Sequence, residues 1–313
     1  MLIRGSFFAA LLAMTASAPA MADDKDGDQI SLKPSSEWKL REYDDKCRMA
    51  RVFGTGENAV TMWMDKGGPG PGVNLTLIGK PVRDPFGPRI RVAFAPGEKV
   101  ERNYLEATSS AGRPVLAMFG VEPMHAPQYL PAPPAMGENP DSLEDEDVDF
   151  ARASSSDVSQ AGSLALLDQR TANITALKID GAIRKPLSFE LSEFPEALGK
   201  LVDCTEKLID KINANIAVSV TPVRQVEWAR KLQQSYPNAM LRAEREGRVD
   251  VSLTVNAKGK TTFCEIRTSS GPASFNDSAC LELLRHATFE PAKDAGGNPV
   301  AGFFNTRITY RLN

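Results

Sequence analysis

The chain has 313 residues with a formal net charge of −3, and apolar and charged residues make up 42% and 25% of it. That length suggests two domains, each able to bury its own core, and the composition is that of an ordinary soluble globular protein. The charge is too small to point to nucleic acid or to a membrane surface as a partner.

The start of the chain reads as an export signal. Arg4 is the sole charge before Asp23, an apolar run covers residues 7–14, and Ala20-Met21-Ala22 forms an A-x-A exit. This layout predicts a signal peptide over residues 1–22, cleaved after Ala22, and a periplasmic mature protein. Ser6, Thr15, Ser17 and Pro19 dilute the stretch below the roughly 20 apolar residues that a spanning helix needs. Residues 23–36 are polar and read as disordered.

Residues 38–218 read as a β-rich α+β domain. Strand character covers residues 59–64, 73–78, 89–94 and 114–121. The punctuation between them is rich in Gly and Pro: Gly67-Gly68-Pro69-Gly70-Pro71-Gly72 and Pro85-Phe86-Gly87-Pro88. Residues 123–149 hold six prolines and the acidic run Glu144-Asp145-Glu146-Asp147, too little apolar surface to fold alone, and read as a loop within this domain. The run lacks the ligand spacing and turning glycine of a calcium loop. Strands are then expected at 175–179 and 187–191. A helix is expected over 195–212, where Leu198, Leu201, Val202, Leu208, Ile209 and Ile212 recur at helical spacing.

Residues 223–313 read as a second domain. They carry 13 Lys/Arg against 9 Asp/Glu, a net of +4 beside a body of −8, which favours contact between the two parts or an acidic partner. Residues 232–237 look like an approach strand that breaks at Pro237. A helix over 238–246 stops at Gly247. Val249, Val251, Leu253 and Val255 alternate with polar residues in a half-buried strand, residues 256–260 turn, and residues 261–268 return. Ser274 with Asp277 has the spacing of a capping box before a helix over 275–287. Phe304, Thr306, Ile308, Tyr310 and Leu312 alternate through a last strand. The fold class is therefore α+β, with helices on one face of an antiparallel sheet and the other face partly solvated.

Four cysteines, an even number in an exported chain, point to disulfides, and three pairings are open. Cys264 on a strand and Cys280 on the covering helix are placed to meet, which would stabilise by ~3 kcal/mol in the chain-entropy model. Cys47–Cys204 is then the remaining pair and would tie the start of the first domain to its helix. The alternative is buried free thiols.

Catalytic signals are missing. No G-x-S-x-G, H-E-x-x-H or Gly-rich phosphate loop occurs, and His125 and His286 are the two histidines. No enzyme activity, no metal and no cofactor are expected. An enzyme in the first domain is the least favoured alternative.

Tyr236-Pro237, Ala239, Gly247-Arg248-Val249, Val251, Val255, Gly259, Ile266, Ser269-Ser270-Gly271 and Phe289-Glu290-Pro291, closed by an amphipathic strand, resemble in order and spacing the TonB C-terminal domain family. The resemblance covers residues 236–313 and implies a β-α-β-β-α-β order with an antiparallel sheet. It also implies a protein or peptide partner, such as an outer-membrane transporter, whose extended segment adds to the edge of the last strand. Carried onto this chain, the contact residues are Phe304, Asn305, Thr306, Arg307, Thr309 and Arg311, with the motif residues Tyr236 and Pro237 nearby. A homodimer through this domain is a further reading. Transducers of that family keep an N-terminal anchor and a long proline-rich spacer. Here the start has a cleavable layout and the prolines lie inside the chain. A docking protein is the first expectation, and an anchored energy transducer with an uncleaved N-terminus is the alternative.

Overall fold

The computed structural model describes residues 29–123 and 171–312. The signal segment, His125 and almost all of the Pro-rich and acidic stretch lie outside the described residues. Among the described residues no helix is long and apolar enough to cross a membrane.

Two sheets and a long helix share the first core. The strands run in chain order β1 (Ile30–Leu32), β2 (Lys39–Glu42), β3 (Cys47–Phe53), β4 (Val60–Lys66), β5 (Val73–Ile78), β6 (Ile90–Ala95), β7 (Val100–Arg102), β8 (Leu105–Thr108), β9 (Pro114–Val121), β10 (Ala176–Gly181) and β11 (Leu187–Glu190). One sheet has the order β2-β3-β4-β5-β9-β8, the other β1-β11-β10-β6-β7. Inward residues alternate along the strands: Met49, Met62, Met64, Leu75 and Leu116 from the first sheet, Leu177, Ile179, Leu187 and Phe189 from the second. The helix α1 (Phe194–Asn215) closes this core with the apolar stripe read from the sequence, including Leu198, Leu201, Leu208 and Ile212. Cys47 on β3 is bonded to Cys204 on α1, 157 residues away. Residues 30–32 are not disordered as their polar surroundings suggested. β1 pairs in parallel with β11, and Leu32 is buried.

A second core begins after α1. It contains β12 (Thr221–Val223), α2 (Gln225–Gln234), α3 (Asn238–Arg242), β13 (Gly247–Val255), β14 (Thr261–Ser270), α4 (Ala273–His286), β15 (Thr288–Glu290), β16 (Ala292–Lys293), β17 (Pro299–Val300) and β18 (Gly302–Tyr310). The main sheet has the antiparallel order β14-β13-β18. Val249, Val251, Leu253 and Val255 face α2 and α4, and Cys264 on β14 is bonded to Cys280 on α4.

Three local expectations fail here for identifiable reasons. The approach strand at 232–237 is instead the end of α2 and the turn after it, because Trp228 and Leu232, four residues apart, are both buried and make an amphipathic helix face. The first strand of the β-α-β-β-α-β order lies further upstream, as β12, and pairs with β15 outside the main sheet. The Ser274–Asp277 capping box does not form. Asp277 instead accepts from Arg102 and from the Asn103 N–H, and the Ser274 hydroxyl is buried without a partner.

Candidate functional site

The site is built on β18. Its residues alternate because the strand lies at the sheet surface. Ile308 and Tyr310 are buried against the helices, while Asn305 and Arg307 are exposed on the opposite face. β18 pairs with β13 in unbroken register from Gly247↔Tyr310 to Val255↔Gly302. Among the described residues no strand lies along its outer side. An edge strand of nine residues turns alternate N–H and C=O groups outward, ready for another chain.

Both ends of this rim are closed off. Gly302 sits beneath Val220 and Ala292, and Phe303 packs against the first core. At the other end the Gln233 side-chain amide donates to the Thr309 carbonyl at 2.9 Å, and the Leu312 N–H donates to Glu246 Oε1 at 2.7 Å. Thr309 therefore belongs to the outward-facing set, and Asn305 and Arg307 share its phase. The accessible stretch is residues 304–308.

The residues named from the sequence have different roles here. Phe304 is half-buried and packs on Phe289, with ring centroids 5.0 Å apart. Asn305 is exposed and Thr306 half-buried. Arg307 does not point freely to solvent: its Nε donates to Asp250 Oδ1 on β13 at 2.6 Å. Arg311 is exposed and lies just beyond the end of the strand. Tyr236 is turned inward. Its ring meets Phe275 and Tyr310 edge-on at 5.4 and 5.5 Å, while Phe275 and Tyr310 stack at 4.5 Å. Pro237 precedes α3 and starts its first turn. Gly247 and Gly271 both lie against the Phe275 ring, where a Cβ would be 2.8 Å and 3.0 Å from it. The aromatic trio explains why the Tyr-Pro and glycine positions occur together. They pack the strand ends under α4.

The electrostatics follow burial. Burial opposes ionisation of Asp250, but hydrogen bonds from Arg307 and Thr268 and the charges of Arg307 and Arg248 outweigh it and hold its carboxyl below the ordinary range. Burial pushes the Tyr310 hydroxyl up to about 12. His286 lies 3.3 Å from Glu282 through Nε2 and 3.3 Å from Lys231 through Nδ1, and among the described residues no serine or cysteine nucleophile is paired with it. Among the described residues no three His, Cys, Asp or Glu side chains gather to hold a metal.

Residues 233–312 match the family model of the Gram-negative bacterial TonB protein C-terminal domain. The match covers about a quarter of the chain, and the region before it matches no family. No curated protein matches the chain. The TonB C-terminal match begins at Gln233, the residue whose amide covers one outward carbonyl of the rim.

The role of Gln233 and the use made of residues 67–72 were missed at the level of the sequence. A glutamine at the end of an amphipathic helix carries no signal of its own. The run of glycines did carry one, since such a run marks a close approach of backbone to something else.

Proposed function

We propose that this chain is a non-catalytic docking protein of the periplasm that accepts an extended segment of a partner along β18, in the service of TonB-dependent transport across the outer membrane. The observation that supports it is the unpartnered edge of β18 within a domain that matches the TonB C-terminal family. Strand addition at such an edge draws affinity from main-chain hydrogen bonds and leaves side-chain demands loose. The flanking chemistry suits a segment of four or five residues over 304–308, with Gln233 displaced from Thr309 if the partner strand runs further. The partner is a protein or peptide, such as the N-terminal segment of an outer-membrane transporter. No cofactor takes part, and the reading needs no anchor at residues 1–22.

All four cysteines are engaged in the two disulfides and none is free. Asn305→Cys therefore introduces a single thiol on the rim. In the full chain without residues 1–22, this thiol is expected to cross-link to cysteine-bearing transporter N-terminal peptides, with the yield depending on the peptide residue that carries the cysteine. A thiol at Arg41, on the exposed strand β2, is expected to give only background. Equal yields at both positions would overturn the reading.

A further inference from the structure

Between Lys66 of β4 and Val73 of β5 the chain has side chains only at Pro69 and Pro71, and the C-terminal domain fills the room that the glycines leave. Thr254 Oγ1 on β13 donates to the Gly67 carbonyl at 2.7 Å, and Phe263 on β14 is buried against Gly67 and Gly68. The carboxyl group of Glu265, also on β14, enters between Gly68 and Gly70. A Cβ at Gly68 would be 2.6 Å from Glu265 Oε2, and one at Gly70 would be 1.5 Å from Oε1. The two glycines therefore form a slot that seats this carboxyl and leaves no space for a side chain at position 70.

The slot offers the carboxyl no donor. Glu265 is 4% exposed, and neither of its oxygens has a hydrogen-bond partner. Lys66 is the opposing charge that acts on it most strongly, and is itself buried. Its amine is directed elsewhere: it donates to the carbonyls of Gly70 and Gly72. The other charges that face the slot are Arg267 on β14 and Glu122 after β9, and Glu206 of α1 acts on Lys66.

A carboxylate buried without donors is far more costly than an uncharged carboxyl in the same place. Burial accordingly pushes the Glu265 carboxyl above the ordinary range, despite the Lys66 and Arg267 charges and the nearby Gly70 N–H. The contribution of Glu265 to the contact is fully present below the ordinary glutamate value of 4.5 and is lost as pH rises through the raised value. Lys66 has the opposite sign. Burial pushes its amine down, so its contribution grows as pH rises towards the ordinary lysine value of 10.5. The acid side of any response therefore belongs to Glu265.

We propose that the slot is a pH-sensitive latch between the first unit and the C-terminal domain. The uncharged Glu265 carboxyl seats residues 67–72 on β14, and its ionisation loosens that turn and lets water reach residues 261–265. This inference does not depend on what β18 binds.

The test follows amide hydrogen exchange between pH 4.5 and pH 7, corrected for the intrinsic pH effect, in the full chain without residues 1–22. Exchange over residues 261–265 is expected to quicken with rising pH by up to about tenfold per unit, the slope for one proton, and then to level off. Glu265→Gln, which stays uncharged, is expected to remove the rise. Asp277→Asn, which changes the acid that pairs with Arg102 at 3.0 Å, is expected to keep it. A flat response in the parent, or a rise that survives in Glu265→Gln, overturns the proposal. Should Glu265→Gln fail to fold, carboxyl carbon NMR of the parent decides: the Glu265 midpoint must lie above the ordinary range and coincide with the levelling-off of exchange, and a midpoint at or below that range overturns the latch.

Discussion

The two edges of the C-terminal sheet are alike in backbone and differ in what lies against them. The first half of β14 lies against another part of the same chain and is tied by a disulfide at Cys264, while Arg267, Thr268 and Ser270 are exposed. β18 is left open and is held by its ladder to β13, by Asp250–Arg307 and by the aromatic trio beneath it. The difference is one of cover: residues 261–265 of one edge strand lie against the first unit, while the other edge strand is closed only at its ends. Both disulfides fall on the covered side. Cys47 pairs in register with Lys66, which donates to the Gly70 and Gly72 carbonyls, and Cys264 lies on β14 itself.

The largest expected effect breaks the covered side at its support. Cys47→Ser with Cys204→Ser opens a loop of 157 residues and is expected to cost about 5 kcal/mol in the chain-entropy model. Cys264→Ser with Cys280→Ser opens a loop of 16 residues and is expected to cost about 3 kcal/mol. Denaturant unfolding of both double variants measures the difference. A larger loss from the shorter loop would mean that packing around Cys264 outweighs loop entropy.

A smaller effect sharpens the comparison at the open edge. The phase set by Thr309 turns the Asn305 N–H outward, so Asn305→Pro removes a docking donor and no ladder bond within the sheet. Peptide affinity is expected to fall about tenfold, the worth of roughly one net hydrogen bond, while thermal unfolding moves little. Proline at Ser252 of β13, the central strand, is expected to unfold the domain instead. If Asn305→Pro leaves affinity unchanged, the partner does not add along this strand.

Much of this comparison was legible in the sequence, and the illegible part has a physical cause. The alternation of Val249, Val251, Leu253 and Val255 and of Ile308 and Tyr310 located both strands and their buried faces, because period two is set within the strand itself. The cysteine pairing followed from the same local placement. The cover over β14 depends on Gly68 meeting Phe263 and on Asn74 meeting Thr262, contacts between residues almost 200 positions apart that leave no periodic trace. The helix α2 was misread because Pro237 punctuates the stretch strongly, whereas Trp228 and Leu232 supply only a two-residue helical signal. The contact roles of Arg307 and Asp277 were hidden for a similar reason: their partners Asp250 and Arg102 lie on other strands.

The smallest expected effect is a difference in how the two edges respond to acid. Asp250 has its carboxyl held down, so its contribution to the β13–β18 link is fully present above the unfolded aspartate value near 4 and is lost as pH falls through its folded value. Arg307 is 47% exposed on its side chain, so solvent screens the pair and its worth stays below about 1 kcal/mol. Asp277, paired with Arg102 of β7, shifts the other way. Burial pushes its carboxyl up despite the Arg102 charge and hydrogen bond, the Asn103 N–H and the Arg89 charge. Its contribution is fully present below about 4 and is lost as pH rises through its raised folded value. Between pH 6 and pH 3, exchange corrected for the intrinsic pH effect is therefore expected to quicken along β18 and not along residues 261–265. Asp250→Asn is expected to abolish the acid response of β18 and leave the other edge as it was. An acid response that is the same at both edges would show that global unfolding, and not Asp250, governs β18.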